Sequence, residues 1–221
     1  MPAAHVPQIR ATVLTIQTTL QPENKTITHR IVIANDRARS MNELDRWRLL
    51  DVRQNTVTFV DDVAKAYRME PLAALEQKRR DADAAHLPDP LAPVEFTTTG
   101  AKRTLQGVEA AQSIVRSGAY QRELWIAQHP SIPPNLYAML YASDEDASPF
   151  APMMKSVDEA LMAMRGFPLA EHAELPYGKA RMVLDRAVIR IEQKNVPQSW
   201  FEIPAKYKNV TAPAAGRPPA S

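Results

Sequence analysis

The chain has 221 residues, 45% of them hydrophobic, with a formal charge of +2 and no cysteine. That length buries one good core, the interleaved charges leave no basic bank for nucleic acid, and the missing thiols exclude disulfides, thiol nucleophiles and thiolate metal sites. No apolar run reaches the roughly 18 residues needed to cross a membrane, and the 19 prolines against 6 glycines act mainly as punctuation at element ends.

From Ile9 to Met69 the sequence keeps starting strands, with a short turn after almost every run, which predicts an antiparallel meander paired in order. Ile9–Leu20 and Thr26–Ala34 flank the turn Gln21-Pro22-Glu23-Asn24-Lys25. In the second strand Ile27, His29, Ile31 and Ile33 share one face and Thr28, Arg30 and Val32 the other, the period of two of a half-buried strand. A shorter strand carries Arg37 and Arg39. Trp47–Val52, Thr56–Val60 and Ala64–Met69 follow, the last two separated by Asp61-Asp62. Pro71 then suits a first helical turn, and a helix is expected to about Ala85. The proline-rich segment His86 to Pro93 reads as a linker between two halves.

Strands resume at Val94–Thr99, Arg103–Gly107, Ala110–Ser117 and Gln121–Gln128, and Asn135–Ala142 forms a short helix. Asp144–Ser148 reads as a loop. Ser156-Val157-Asp158-Glu159 fits a capping box, with Met154, Val157, Leu161 and Met164 on one helical face, Gly166 at C′ and Pro168 as the stop. Glu171–Glu174 reads as an extended piece and Arg181–Gln193 as the longest late strand. Residues 1–8 and 211–221 are expected to be disordered, leaving one domain over 9–210.

Few residues carry chemistry. Asp61-Asp62 and the crowd at Asp144-Glu145-Asp146 lack the ligand spacing of a calcium loop, and short acidic residues make turns by bonding their own backbone. His5, His29, His86, His129 and His172 make no short metal spacing. His29 stands out because it shares a face with three isoleucines. The elbow GxSxG and the phosphate loops GxxxxGKS and GxGxxG are absent. No catalytic residue, metal or cofactor is therefore assigned. Arg30, Arg37 and Arg39 are candidates to meet on one side of a twisted sheet and greet an anionic headgroup or an acidic partner; a solvated sheet face explains them more simply. The methionine-rich stretch Met153, Met154, Met162 and Met164 suits either a core or an adaptable apolar surface.

Three segments carry a resemblance. They are DVRQNTVTFVDDVAKAYRMEPL over Asp51–Leu72, RELWIAQHP over Arg122–Pro130, and RGFPL over Arg165–Leu169 followed by a strand and VPQSWFEIPAKYKNV. Together they are similar to bacterial envelope proteins of the LolA and LppX kind (lipoprotein carriers) and to DUF4412-type domains. The resemblance implies a mainly β (α+β) fold, a strongly curved antiparallel half-barrel with helices covering its concave face. It implies an exported, periplasmic or secreted protein whose signal peptide has been removed, and no enzyme. The implied function is binding of a lipid or other apolar ligand, such as an acyl chain, in a cavity. The expected lining is Leu14, Ile16, Ile31, Ile33, Val57, Phe59, Leu72, Leu75, Val157, Leu161 and Met164, with Arg30, Arg37 and Arg39 as headgroup contacts. Two rivals stand beside it: an envelope protein-interaction module with a packed core, and an unrecognised hydrolase using His29 or Asp61-Asp62.

Overall fold

The computed structural model describes residues 6–41, 46–84, 94–118, 120–143, 155–177 and 180–211. The N-terminal meander forms as its period-two pattern dictates. It comprises β1 (Gln8–Gln21), β2 (Lys25–Ala34), β3 (Arg37–Met41), β4 (Arg46–Asp51), β5 (Thr56–Asp61) and β6 (Ala66–Pro71), each paired antiparallel with the next. Helix α1 (Leu72–Ala84) follows. The second half supplies β7 (Glu95–Leu105), β8 (Val108–Ser117), β9 (Tyr120–Ala127), α2 (Leu136–Ala142), α3 (Lys155–Met162), β10 (Phe167–Tyr177), β11 (Ala180–Pro197) and the two-residue β12 (Lys208–Asn209).

All twelve strands join one sheet in the order β12-β6-β5-β4-β3-β2-β1-β11-β10-β9-β8-β7. The long ladder between β1 and β11, from Gln8↔Pro197 to Gln21↔Val183, joins the two meanders. β12 lies parallel to β6 while the other pairs are antiparallel, so the sheet is mixed, and it stays open, with β12 and β7 at its ends. This overturns the expected α+β half-barrel with helices across a concave face. Among the described residues there are three helices of 13, 7 and 8 residues and one short 3-10 turn, too little helix to cover twelve strands. The fold is mainly β.

The sheet buries apolar side chains on both faces. Strict alternation sends Leu14, Ile16, Ile31, Ile33, Leu50, Val57 and Phe59 to the inner face, where they pack with Leu136, Met139, Leu161 and Met164 of and beside the helices. The intervening Ala11, Val13, Val32, Ala34, Trp47, Leu49 and Val60 form a second core on the outer face. A strap formed by the last described residues covers that second core: Phe201, in the 3-10 turn Gln198–Phe201, is buried, and Trp200, Ile203 and Tyr207 pack around it.

Several local expectations shift. The two strands predicted at Val94–Thr99 and Arg103–Gly107 are one, β7, whose pairing with β8 slips between Thr98 and Lys102 where Gly100 takes φ +80. Glu171–Glu174 is the middle of an 11-residue strand. Gly166 is not a helix cap, since α3 ends at Met162. Instead it has φ +100, donates its N–H to the Pro134 carbonyl (2.8 Å), and lies so close to β9 that a Cβ would meet the Ala127 oxygen at 2.9 Å. The predicted linker from His86, the loop at Asp144–Ser148, Met153 and Met154 lie outside the described residues, as do residues 1–5 and 212–221 of the expected disordered ends.

Candidate functional site

Of the expected cavity residues, Leu14, Ile16, Ile31, Ile33, Val57, Phe59, Leu75, Leu161 and Met164 are buried together in the inner core, and half-buried Leu72 packs against them. The Val157 side chain lies outside the described residues.

The polar chemistry of the inner face gathers at one end of that core. Arg122 of β9 alternates in phase with Tyr120 and Leu124, and Glu171 of β10 is in phase with Leu169, so both point under the helices. Their side chains, 7% and 1% exposed, meet at 2.5 Å. Tyr137 of α2 accepts a hydrogen bond from Arg122 Nη2 at 2.7 Å and lies 3.4 Å from the second Glu171 oxygen. Arg186 of β11 approaches that oxygen at 3.5 Å and donates to Thr18 Oγ1 at 3.2 Å. Arg48 donates to the Ser143 carbonyl at the end of α2, at 2.8 Å.

Electrostatics follow from this geometry. Burial works against ionisation of both Arg122 and Glu171, but mutual attraction prevails: the guanidinium is held well above its ordinary value and the carboxyl below its own. Burial pushes the Tyr137 phenol up, so it stays neutral. His29 falls on the same face, opposite Ile16. Burial, then Arg186 and Arg48, lower it to about 4. The hydrolase reading wanted a carboxylate beside His29; the charged groups acting on it are two cations.

The other predicted site residues have partners of a different kind. Asp61 accepts the N–H groups of Val63 and Ala64 at 3.0 and 2.7 Å, making its turn, and Asp62 accepts from Trp47 Nε1 and from the Tyr207 hydroxyl. The pair thus diverges. Arg30, Arg37 and Arg39 all belong to the outer face by alternation. Arg39 lies 3.7 Å from the Trp47 ring centroid and donates to the Trp200 carbonyl at 3.1 Å. Arg37 reaches the Phe201 carbonyl and Asp51. Two of the three therefore clamp the strap, while Arg30 is exposed. Sequence reasoning missed Arg122 and Glu171, although the signal that singled out His29, a polar residue in phase with apolar neighbours, marks them too.

A family model described as domain of unknown function (DUF4412) matches residues 13–207. The chain belongs to the DUF4412 family. No curated protein matches this DUF4412 chain. Among solved structures, two titled as PNGF-II, in C2 and P21 space groups, are 11% and 9% identical to it, cover 92% and 93% of it, and give TM-scores of 0.49 and 0.50. The DUF4412 chain spans about a third of those chains (31% and 32%). A LolA superfamily protein, NE2245 from Nitrosomonas europaea, is 10% identical over 91% of each chain with a TM-score of 0.28.

Proposed function

We propose that this DUF4412 domain is a non-enzymatic, exported binding protein that holds an amphiphile, with an apolar body and an acidic head, between the inner sheet face and the helices. The observation that carries the reading is the charge balance within the apolar core. Among the described residues there, two guanidinium groups, Arg122 and Arg186, share one carboxylate, Glu171. Buried charge seeks compensation, and an acidic head beside Arg186, 28% exposed, supplies it while the aliphatic residues receive the tail. The helices hold no strand ladder, so their displacement opens the aliphatic face without breaking the sheet.

Native mass spectrometry of gently purified protein, followed by organic extraction, tests this. A stoichiometric acyl species, or uptake of added palmitate that Arg186→Gln weakens, is the expected result. An apo mass with no uptake of palmitate overturns it.

A second reading rests on β7. Its 11 residues are exposed except for half-buried Leu105, and among the described residues only β8 pairs with it. An open edge of that length accepts an extended partner segment by strand addition. Protection of β7 amides from exchange on adding an envelope extract, with no acyl ligand found, would favour this second reading.

A further inference from the structure

On the outer face of β1, β11, β10 and β9 the register aligns two rows of side chains across four strands. One row runs Gln17–Ala187–Ala170–Trp125 and the next Thr19–Asp185–His172–Glu123. Neighbouring rows on a sheet face stand about 7 Å apart along the strands, so the two rows work as one surface. Where a solvated sheet face normally carries long side chains, the first row places two alanines side by side. The result is an open trough of about 330 Å³ floored by Ala170 and Ala187, with Gln17 at one end and Trp125 at the other. That volume falls at the small end of ligand sites, about 300–1,000 Å³.

The trough walls are held in place before any ligand arrives. His172 Nδ1 lies 2.7 Å from Asp185 and its Nε2 3.1 Å from Glu174. The Trp125 indole donates to Glu123 at 2.5 Å, and the Arg103 guanidinium sits 4.0 Å from the Trp125 ring centroid. Hydrogen bonds to Asp185 and Glu174 raise the His172 pKa and favour its cation. The lining then sets three cations, Arg103, His172 and Arg186, against three anions, Glu123, Asp185 and Glu171. A surface with donors and acceptors interleaved and its charges balanced recruits neither anions nor metal cations. It matches a neutral molecule rich in hydroxyl groups, with a C–H face that lies on indole and alanine. Pre-ordered side chains lower the entropy lost on binding.

We propose that this outer trough is a binding site for a neutral saccharide of one or two rings, seated on Ala170 and Ala187 against Trp125 and hydrogen-bonded along Gln17, Asp185 and Glu123. The two rows stand on the opposite sheet face from the amphiphile reading; Glu171 and Arg186, which that reading uses, border the trough as well, but the saccharide assignment rests on neither.

Calorimetric titration of the full chain with maltose, cellobiose and N,N′-diacetylchitobiose tests the assignment. At least one sugar saturates the protein, and Trp125→Ala weakens that binding at least about tenfold. Because the loss of an indole can compromise folding, Ala170→Leu serves as the second variant: it fills the floor and leaves every polar group in place, and it too lowers affinity about tenfold or more with an unchanged circular dichroism spectrum. No saturation with any of the three sugars overturns the proposal, as does wild-type affinity in folded Ala170→Leu protein.

Discussion

At the residue scale, the inner face carries the largest electrostatic stakes. His29 takes a proton near 6.5 when unfolded and near 4 when folded. Between those values the unfolded chain binds more protons, so His29 contributes fully above about pH 6.5, and its contribution is lost as pH falls toward 4. The full effect is up to about 3 kcal/mol. Urea midpoints measured from pH 7 to 4.5 should fall, and His29→Gln should flatten that slope. His172 has the opposite sign. Its raised value stabilises the fold below its ordinary 6.5 and the benefit fades as pH rises above it, so it does not offset the acid slope of His29. Glu171→Gln should cost about 3–5 kcal/mol in urea unfolding, because it leaves the Arg122 cation buried without its partner. Replacing both members with apolar residues, Arg122→Met with Glu171→Leu, should recover much of that loss. The Nε of Arg122 already lacks a hydrogen-bond partner, which adds to the cost of keeping this cation buried. These residues were partly legible in sequence. Alternation assigns Arg122 and Glu171 to an apolar face, but only the distant pairing of β9 with β10 makes them partners.

At the element scale, the strands of the first meander were legible almost to their ends. Their alternation is regular and their turns carry residues that accept positive φ: Asn24, Asn35 and Asn55 all do so. The second half was harder. Gly100 reads as a break between strands, yet it is a bulge within one. Least legible was the strap. SWFEI reads as a short apolar segment, and nothing local says that its Trp200 and Phe201 carbonyls will be held by arginines more than 160 positions earlier. Phe201, 5% exposed, anchors that strap on the second core. Phe201→Ala should destabilise the protein by about 3–5 kcal/mol in urea unfolding. Arg39→Ala removes the carbonyl bond, the ring contact with Trp47 and an attraction to Asp62, with no large apolar side chain lost, so a smaller loss should follow, about 1–2 kcal/mol.

At the scale of the whole molecule, the helices cover part of one face and the strap part of the other, and the open sheet between them is the organising element. Protection should therefore vary along the strand order. Amide exchange followed by mass spectrometry should find β1 and β11, at the middle of the order, slowest, and the exposed β7 among the fastest of the long strands. Equal exchange across all twelve strands would contradict this. The open sheet was not legible because alternation tells which face a residue joins, not whether β1 meets β11. That meeting has a consequence for how the chain comes to be made. The 14 residues of β1 emerge from the ribosome well ahead of their second partner, Ala180–Pro197, which follows only after about 160 further positions. Until β11 emerges, the first meander carries a long unpaired edge rich in β-branched residues, the kind of surface that pairs with other nascent copies. Folding of the central ladder is slow by topology, since its partners lie far apart in sequence, and a holdase that shields β1 until β11 has emerged would raise the yield of native protein more than one that acts on any strand between them.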